Sequence, residues 1–242
     1  MRGQTLPCKA VVASLAHCEP VGCAIEDTPE AEANKVKNTL PSAQAAPKFV
    51  ALDDFERLQA KIKSPQGLAV SDRKIFHDIK ISRPREGGTI ETIAFSEGDL
   101  VEVMGYIVGT PHARRFDPAN CLLIGRDNNG YRIDIARLPG DTEYDSILVE
   151  MIPRGRNTWW TLGRLQRIRH EGLRVHVVGK LFYDNKHLVN SDPDEAIVGE
   201  PKRMSLWEIH PVSIFELCPK AKHDACKEVR GKDWIKLEEM DE

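Results

Sequence analysis

The spacing of apolar residues changes character along the chain, and the change divides it. Leu52, Phe55, Leu58 and Ile62 recur at steps of three and four, which places one apolar stripe on a short helix. From residue 99 the apolar positions close up into β-branched and aromatic runs. Leu100, Val101, Val103, Tyr106, Ile107 and Val108 predict a first strand, with Gly105 inside it where a coiled barrel strand bends. Cys121 to Ile124 and the alternating Tyr131 to Ile135, separated by Asp127-Asn128-Asn129-Gly130, predict a second strand that is broken or paired on itself. Residues 146–152 predict a third, ended by Pro153. Leu162, Leu165 and Ile168 then step by three among arginines, so residues 159–170 read as an amphipathic helix stopped by Gly172. Residues 174–183, with Gly179 inside, and 206–217 predict the last two strands. The order β-β-β-α-β-β is that of the five-stranded OB-type barrel, so the expected fold is mainly β with this barrel over residues 99–217.

The remaining segments read as attachments to it. Residues 1–66 predict an N-terminal arm with two short helices, the first opened by Thr28 as cap and Pro29 at the first helical position. Residues 67–98 are rich in Pro, Gly and Arg and predict a connector with at most a short helix or strand near residues 90–95. Residues 218–242 read as a charged tail, and no repeat of 20 to 50 residues is visible.

Composition narrows the class without naming a function. With 41% hydrophobic and 29% charged residues, the chain has the profile of a soluble globular protein. Lys and Arg number 34 against 37 for Asp and Glu, so no global positive field advertises nucleic acid or an anionic membrane. No apolar run is long enough for a transmembrane segment. The stretch Ala10 to Ala16 is at the lower limit of a signal-peptide core and His17 stands where a small residue is expected, so a cytoplasmic location is favoured and export is the alternative. The six cysteines contain no C-x-x-C pair. They read either as free thiols in a reducing cytosol or as pairs in an oxidising compartment, with Cys218 and Cys226 well placed to close a polar loop.

The stretches 149–153, 181–185 and above all Ser205-Leu-Trp-Glu-Ile-His-Pro-Val212 resemble a family of uncharacterised bacterial proteins with a Trp-Glu-Ile-His-Pro signature. Gly22-Cys23 and residues 34–38 are similar too. The resemblance implies an OB-like barrel behind an N-terminal arm, and it brings no activity, substrate or catalytic residue. Relatives with a second Cys or His beside the position of Cys121 differ from this chain, which has Leu122 there, and that argues against a metal at this position.

Three groups of residues carry candidate chemistry. OB barrels take single strands across their second and third strands and the flanking loops, using cations for phosphates and rings for bases. The first such loop holds His112, Arg114, Arg115, Phe116 and Arg126, followed by Tyr131 and Arg132, and the later loop brings Lys186, His187, Lys202 and Arg203. Against this stands the balance of residues 99–217, with 15 Lys and Arg to 17 Asp and Glu. A denser cluster, Arg154, Arg156, Arg164, Arg167, Arg169 and Arg174, lies beside Trp159 and Trp160 and faces only Glu171; it reads as a solubilising surface or as a seat for phosphates or an acidic partner. Glu208 and His210, two apart on the fifth strand, share a face, with Asp134, Asp184 and His187 as further candidates for acid–base or metal chemistry. No H-E-x-x-H, nucleophile elbow or phosphate-cradling loop accompanies them, and no cofactor motif is present. The leading expectation is therefore a non-enzymatic OB-fold binding module for single-stranded nucleic acid or another anionic ligand. A metal-assisted hydrolase centred on Glu208 and His210, and a structural or envelope-associated interaction protein, are the alternatives.

Overall fold

The computed structural model describes residues 8, 12–42, 46–62, 75–85, 87–185, 189, 203–219, 226–229 and 231–241. Its centre is a closed five-stranded barrel built from β4 (Leu100–Ile107), β6 (Gly130–Ala136), β7 (Ile147–Met151), β8 (Arg174–Tyr183) and β9 (Trp207–Leu217). Antiparallel pairs join β6 to β4 and β7, and β8 to β4 and β9. The parallel pair of β7 with β9, at Val149 and Ile209, closes the ring. With α3 (Leu162–Glu171) between its third and fourth strands, this is the OB-type arrangement. The interior is filled by alternate residues of each strand, among them Val103, Ile133, Val149, Val177 and Ile209, all without solvent exposure. Gly105 and Gly179 sit where strands press together: a Cβ at Gly105 would strike the Ala136 carbonyl, and one at Gly179 the Pro211 carbonyl. The β8–β9 register shifts at Gly179, so this glycine marks the bulge that lets the long strands curl into closure.

Two sequence expectations change here. Residues 121–124 are not strand: Cys121 and Leu122 adopt left-handed conformations (φ 54° and 59°) after the single turn Pro118–Asn120, and β6 pairs instead with the short β5 (His112–Arg114). The connector is more ordered than its composition suggested, because β2 (Ile79–Pro84) and β3 (Ile90–Phe95) form an antiparallel hairpin. Arg85, Gly87 and Gly88 turn it, both glycines having positive φ. The hairpin buries Ile81 and Phe95 and packs against α2 (Leu52–Lys61), whose Leu52, Phe55 and Leu58 are buried as their spacing required. Just before α2, β1 (Lys48–Phe49) runs parallel to β4.

The ends of the chain are clamped to the barrel. The arm helix α1 (Pro29–Asn38), capped by the Thr28 hydroxyl accepting from Ala31 N at 3.2 Å, lies against β8, β9 and the 118–120 turn. Disulfides join Cys8 to Cys23, Cys18 to Cys121 and Cys218 to Cys226, so the free-thiol alternative does not hold. The dense arginine cluster is more than a solubilising surface. Its members donate to main-chain carbonyls of other segments: Arg154 to Leu15 and Cys18, Arg156 to Arg126 and Asn129, Arg164 to Leu237 and Glu238, Arg167 to Asp241, Arg169 to Val108, and Arg174 to Cys226. The five donors of a guanidinium suit it to such clips, since loop carbonyls would otherwise be left without partners. The short β10 (Ile235–Lys236) adds an edge to β9, and the tail is thereby docked. Among the described residues, no helix is long and apolar enough to cross a membrane.

Candidate functional site

Strand alternation puts Ile133, Val149 and Ile209 inside the barrel and their neighbours Arg132, Glu150, Glu208 and His210 on its outer wall. That wall is the one OB barrels offer to ligands. Here it is buried. Glu208, His210 and Glu150 are at most 2% exposed. His210 Nδ1 lies 3.0 Å from Glu208 Oε1 and 3.3 Å from Glu150 Oε2, so the imidazole faces both carboxylates through one nitrogen. Arg203, itself fully buried, donates to Glu208 Oε2 at 2.8 Å and to Asp184 Oδ2 at 2.9 Å. Arg132 donates to Glu150 Oε1 at 2.8 Å, and Arg114 stands 3.4 Å from the same oxygen and 3.6 Å from Asp117. Burial alone would drive Glu150 toward its neutral form, but His210, Arg132 and Arg114 overcome it and hold the carboxyl well below the usual range. Arg203 is held in its charged form, Asp184 and Glu208 outweighing its desolvation.

The arm roofs this wall. Lys37 of α1 sits with Nζ 4.6 Å from the centre of the Phe182 ring, itself 5.9 Å from His210. Asn38 donates to the carbonyls of Pro20 and Ala119 at 2.8 Å, and the Cys18–Cys121 bridge fastens the arm to the loop after β5.

The candidates for nucleic-acid contact therefore separate. Arg132 and Arg203, candidates from the sequence for nucleic-acid or anion contact, are buried in ion pairs, and Arg114 is largely so. Arg115 and Arg126 are exposed, as is Phe116. Lys186, His187 and Lys202 lie outside the described residues. Tyr131 is buried under Arg156, whose guanidinium is 3.8 Å from the ring centre. Asp134 lies near Gly109 rather than in the Glu208 cluster, and burial, then Glu143, pushes its carboxyl up to about 6.

At the barrel rim, Arg126, Tyr131, Arg156, Asn157, Thr158 and Trp160 line a pocket of about 380 Å³. Trp160 is oriented by donating Nε1–H to Glu238 at 2.7 Å, and Arg156 by its two carbonyls at 2.7 Å. The pocket thus joins Arg126 and Tyr131, singled out from the sequence, to Arg156 and Trp160, which the sequence placed in a different cluster. Glu150 was missed altogether. Its signal was present as the one ionisable residue in the otherwise apolar strand 147–151.

Compared with protein-family models, curated proteins and solved structures, the chain matches none.

Proposed function

We propose that this protein is a non-enzymatic OB-type binding module of an oxidising compartment, and that it takes an anionic ligand at the rim pocket rather than on the strand wall. Single-stranded nucleic acid is the ligand class to test first. The observation that carries the reading is that Arg126 and Arg156 line one cavity with Tyr131 and Trp160, the Arg156 guanidinium lying over the Tyr131 ring, with Asp127 as the acidic residue of the lining. Two cations beside aromatic rings suit a phosphate carried next to a flat base. Arg115 and Phe116, both exposed in the loop after β5, extend the same chemistry along the chain. The strand wall argues against the usual OB path, since its arginines are committed to carboxylates under the arm.

Fluorescence anisotropy with short mixed-sequence single-stranded DNA and RNA, at low and near-physiological salt, tests the reading. Salt-sensitive binding lost in an Arg115→Ala/Arg126→Ala variant is the expected result. Binding of inorganic phosphate by titration calorimetry without any oligonucleotide binding would narrow the ligand to a small anion. No binding of either at low salt would overturn it and favour the second reading, a structural or envelope-associated interaction protein. The three disulfides favour that reading, because such bridges persist where the surroundings are oxidising.

A further inference from the structure

The arrangement of His210 between two carboxylates poses a problem that a hydrogen bond alone does not solve. One Nδ1 faces Glu208 Oε1 at 3.0 Å and Glu150 Oε2 at 3.3 Å, and it has a single hydrogen to give. The three ligand atoms lie within 4.8 Å of one another. Two carboxylate oxygens in a dry site need a positive group between them, which is either the imidazolium of His210 or a metal ion bound to the neutral imidazole. The spacing supplies a clue to which one: atoms bound to a tetrahedral zinc at about 2.0–2.2 Å stand roughly 3.3 Å apart.

The outer oxygens of both carboxylates are already occupied. Arg132 holds Glu150 Oε1 and Arg203 holds Glu208 Oε2, each at 2.8 Å, which leaves Glu150 Oε2 and Glu208 Oε1 turned inward toward the imidazole. This is the support that ligating carboxylates receive in metal sites, where a second hydrogen-bonding partner fixes the ligand's orientation. Arg132 Nη2 is buried without a hydrogen-bond partner among the described residues, on the same guanidinium that holds Glu150.

We infer that Glu150, Glu208 and His210 form a buried metal site, with Glu150 Oε2, Glu208 Oε1 and His210 Nδ1 as ligands and a further position left to water or a small oxygen ligand. Arg132, Arg203 and Arg114 offset much of the carboxylate charge, so a cation enters a pocket that is not strongly negative. That disfavours Ca²⁺ and Mg²⁺, which depend on many charged oxygens, and favours a metal that bonds imidazole, such as Zn²⁺ or Co²⁺. The site goes beyond the rim pocket and shares none of its residues.

Because the ligands are buried, the test loads metal during refolding of the untagged full chain with its disulfides intact. Co²⁺ is added and uptake is counted by elemental analysis, with the visible and X-ray absorption spectra recorded on the same sample. One equivalent of Co²⁺, with one imidazole and otherwise oxygen ligands, is the expected result. His210→Gln should lower the affinity at least tenfold, since loss of even an outer partner costs about 10–100-fold. His176→Gln, which alters the carboxylate-flanked histidine on the outer face of β8, should leave it unchanged. Should His210→Gln fail to fold, the wild-type spectrum still decides. No stoichiometric uptake, or a coordination shell lacking imidazole or containing two or more, overturns the site whether or not oligonucleotides bind at the rim.

Discussion

Asp134 is a residue whose burial works against the fold. Its carboxyl has a pKa of about 6 in the folded chain because solvent is withdrawn and Glu143 adds like charge, while the unfolded chain would titrate near the ordinary aspartate value. The folded state therefore binds the proton more tightly, and stability falls as pH rises from about 4 through 6. Asp134→Asn should remove this penalty, leaving the variant about 2–3 kcal/mol more stable than wild type at pH 7.5 and no different near pH 4. Urea unfolding at the two pH values checks this; an equal midpoint at pH 7.5 would show that the carboxylate is better solvated than its surroundings suggest. Arg203 is the opposite case, a buried charge whose removal takes a guanidinium partner from the buried carboxylates of both Asp184 and Glu208. Arg203→Ala should cost about 3–5 kcal/mol in the same assay. At this scale the sequence was legible only for type and face. It placed Glu208 and His210 together on one side of a strand, but it could not see Arg203 as a core residue, because a loop arginine before a strand is solvated in most folds.

Among the elements, β8 and β9 carry the geometry that closes the barrel. Gly179 lies where the Pro211 carbonyl approaches β8, and no side chain fits without moving backbone on one strand or the other. Gly179→Ala should therefore destabilise by about 1–3 kcal/mol, as overpacking does. Gly140→Ala, at a position with nothing within contact distance, should show no comparable loss by thermal unfolding. The strands, α2 and α3 were legible because their apolar residues repeat at two or at three to four positions. Of the β2–β3 hairpin only a short helix or strand near residues 90–95 was legible, and β2 was not, because Pro84, Gly87 and Gly88 lie in the last pair and turn and read in the sequence as a linker. Residues 121–124 misled in the other direction. Their apolar character suggested a strand, yet the left-handed backbone at Cys121 and Leu122 follows from where the 118–120 turn and the bridge to Cys18 hold the loop.

For the whole molecule, the clamps on the two ends matter more than any one side chain. Cys18–Cys121 spans 103 residues and ties the arm to the barrel, whereas Cys218–Cys226 spans 8. In the chain-entropy account of cross-links, the long bridge is worth about 4–5 kcal/mol and the short one about 2–3 kcal/mol. Replacing Cys18 and Cys121 by Ser should lower the melting temperature more than replacing Cys218 and Cys226. The reverse order would mean that the arm contributes little to global stability. Thiol labelling of unreduced, denatured protein should find no free cysteine.

The sequence by itself determined the order of strands and helix, and with it the barrel, because periodicity is a local property that each segment carries alone. It also held the arm helix, through Thr28 and Pro29, and the shared face of Glu208 and His210. Only the tertiary structure decided that the arm covers the wall where OB barrels receive ligands, that six cysteines pair, and that the arginines after Pro153 clip loops as well as meeting solvent. Each of these depends on segments far apart in the chain meeting in space: Arg154 with Leu15, Cys18 with Cys121, Glu150 with His210. A charged residue becomes a clip, a core ion pair or a solvated loop cation according to what is brought against it, and closure of the barrel settles that.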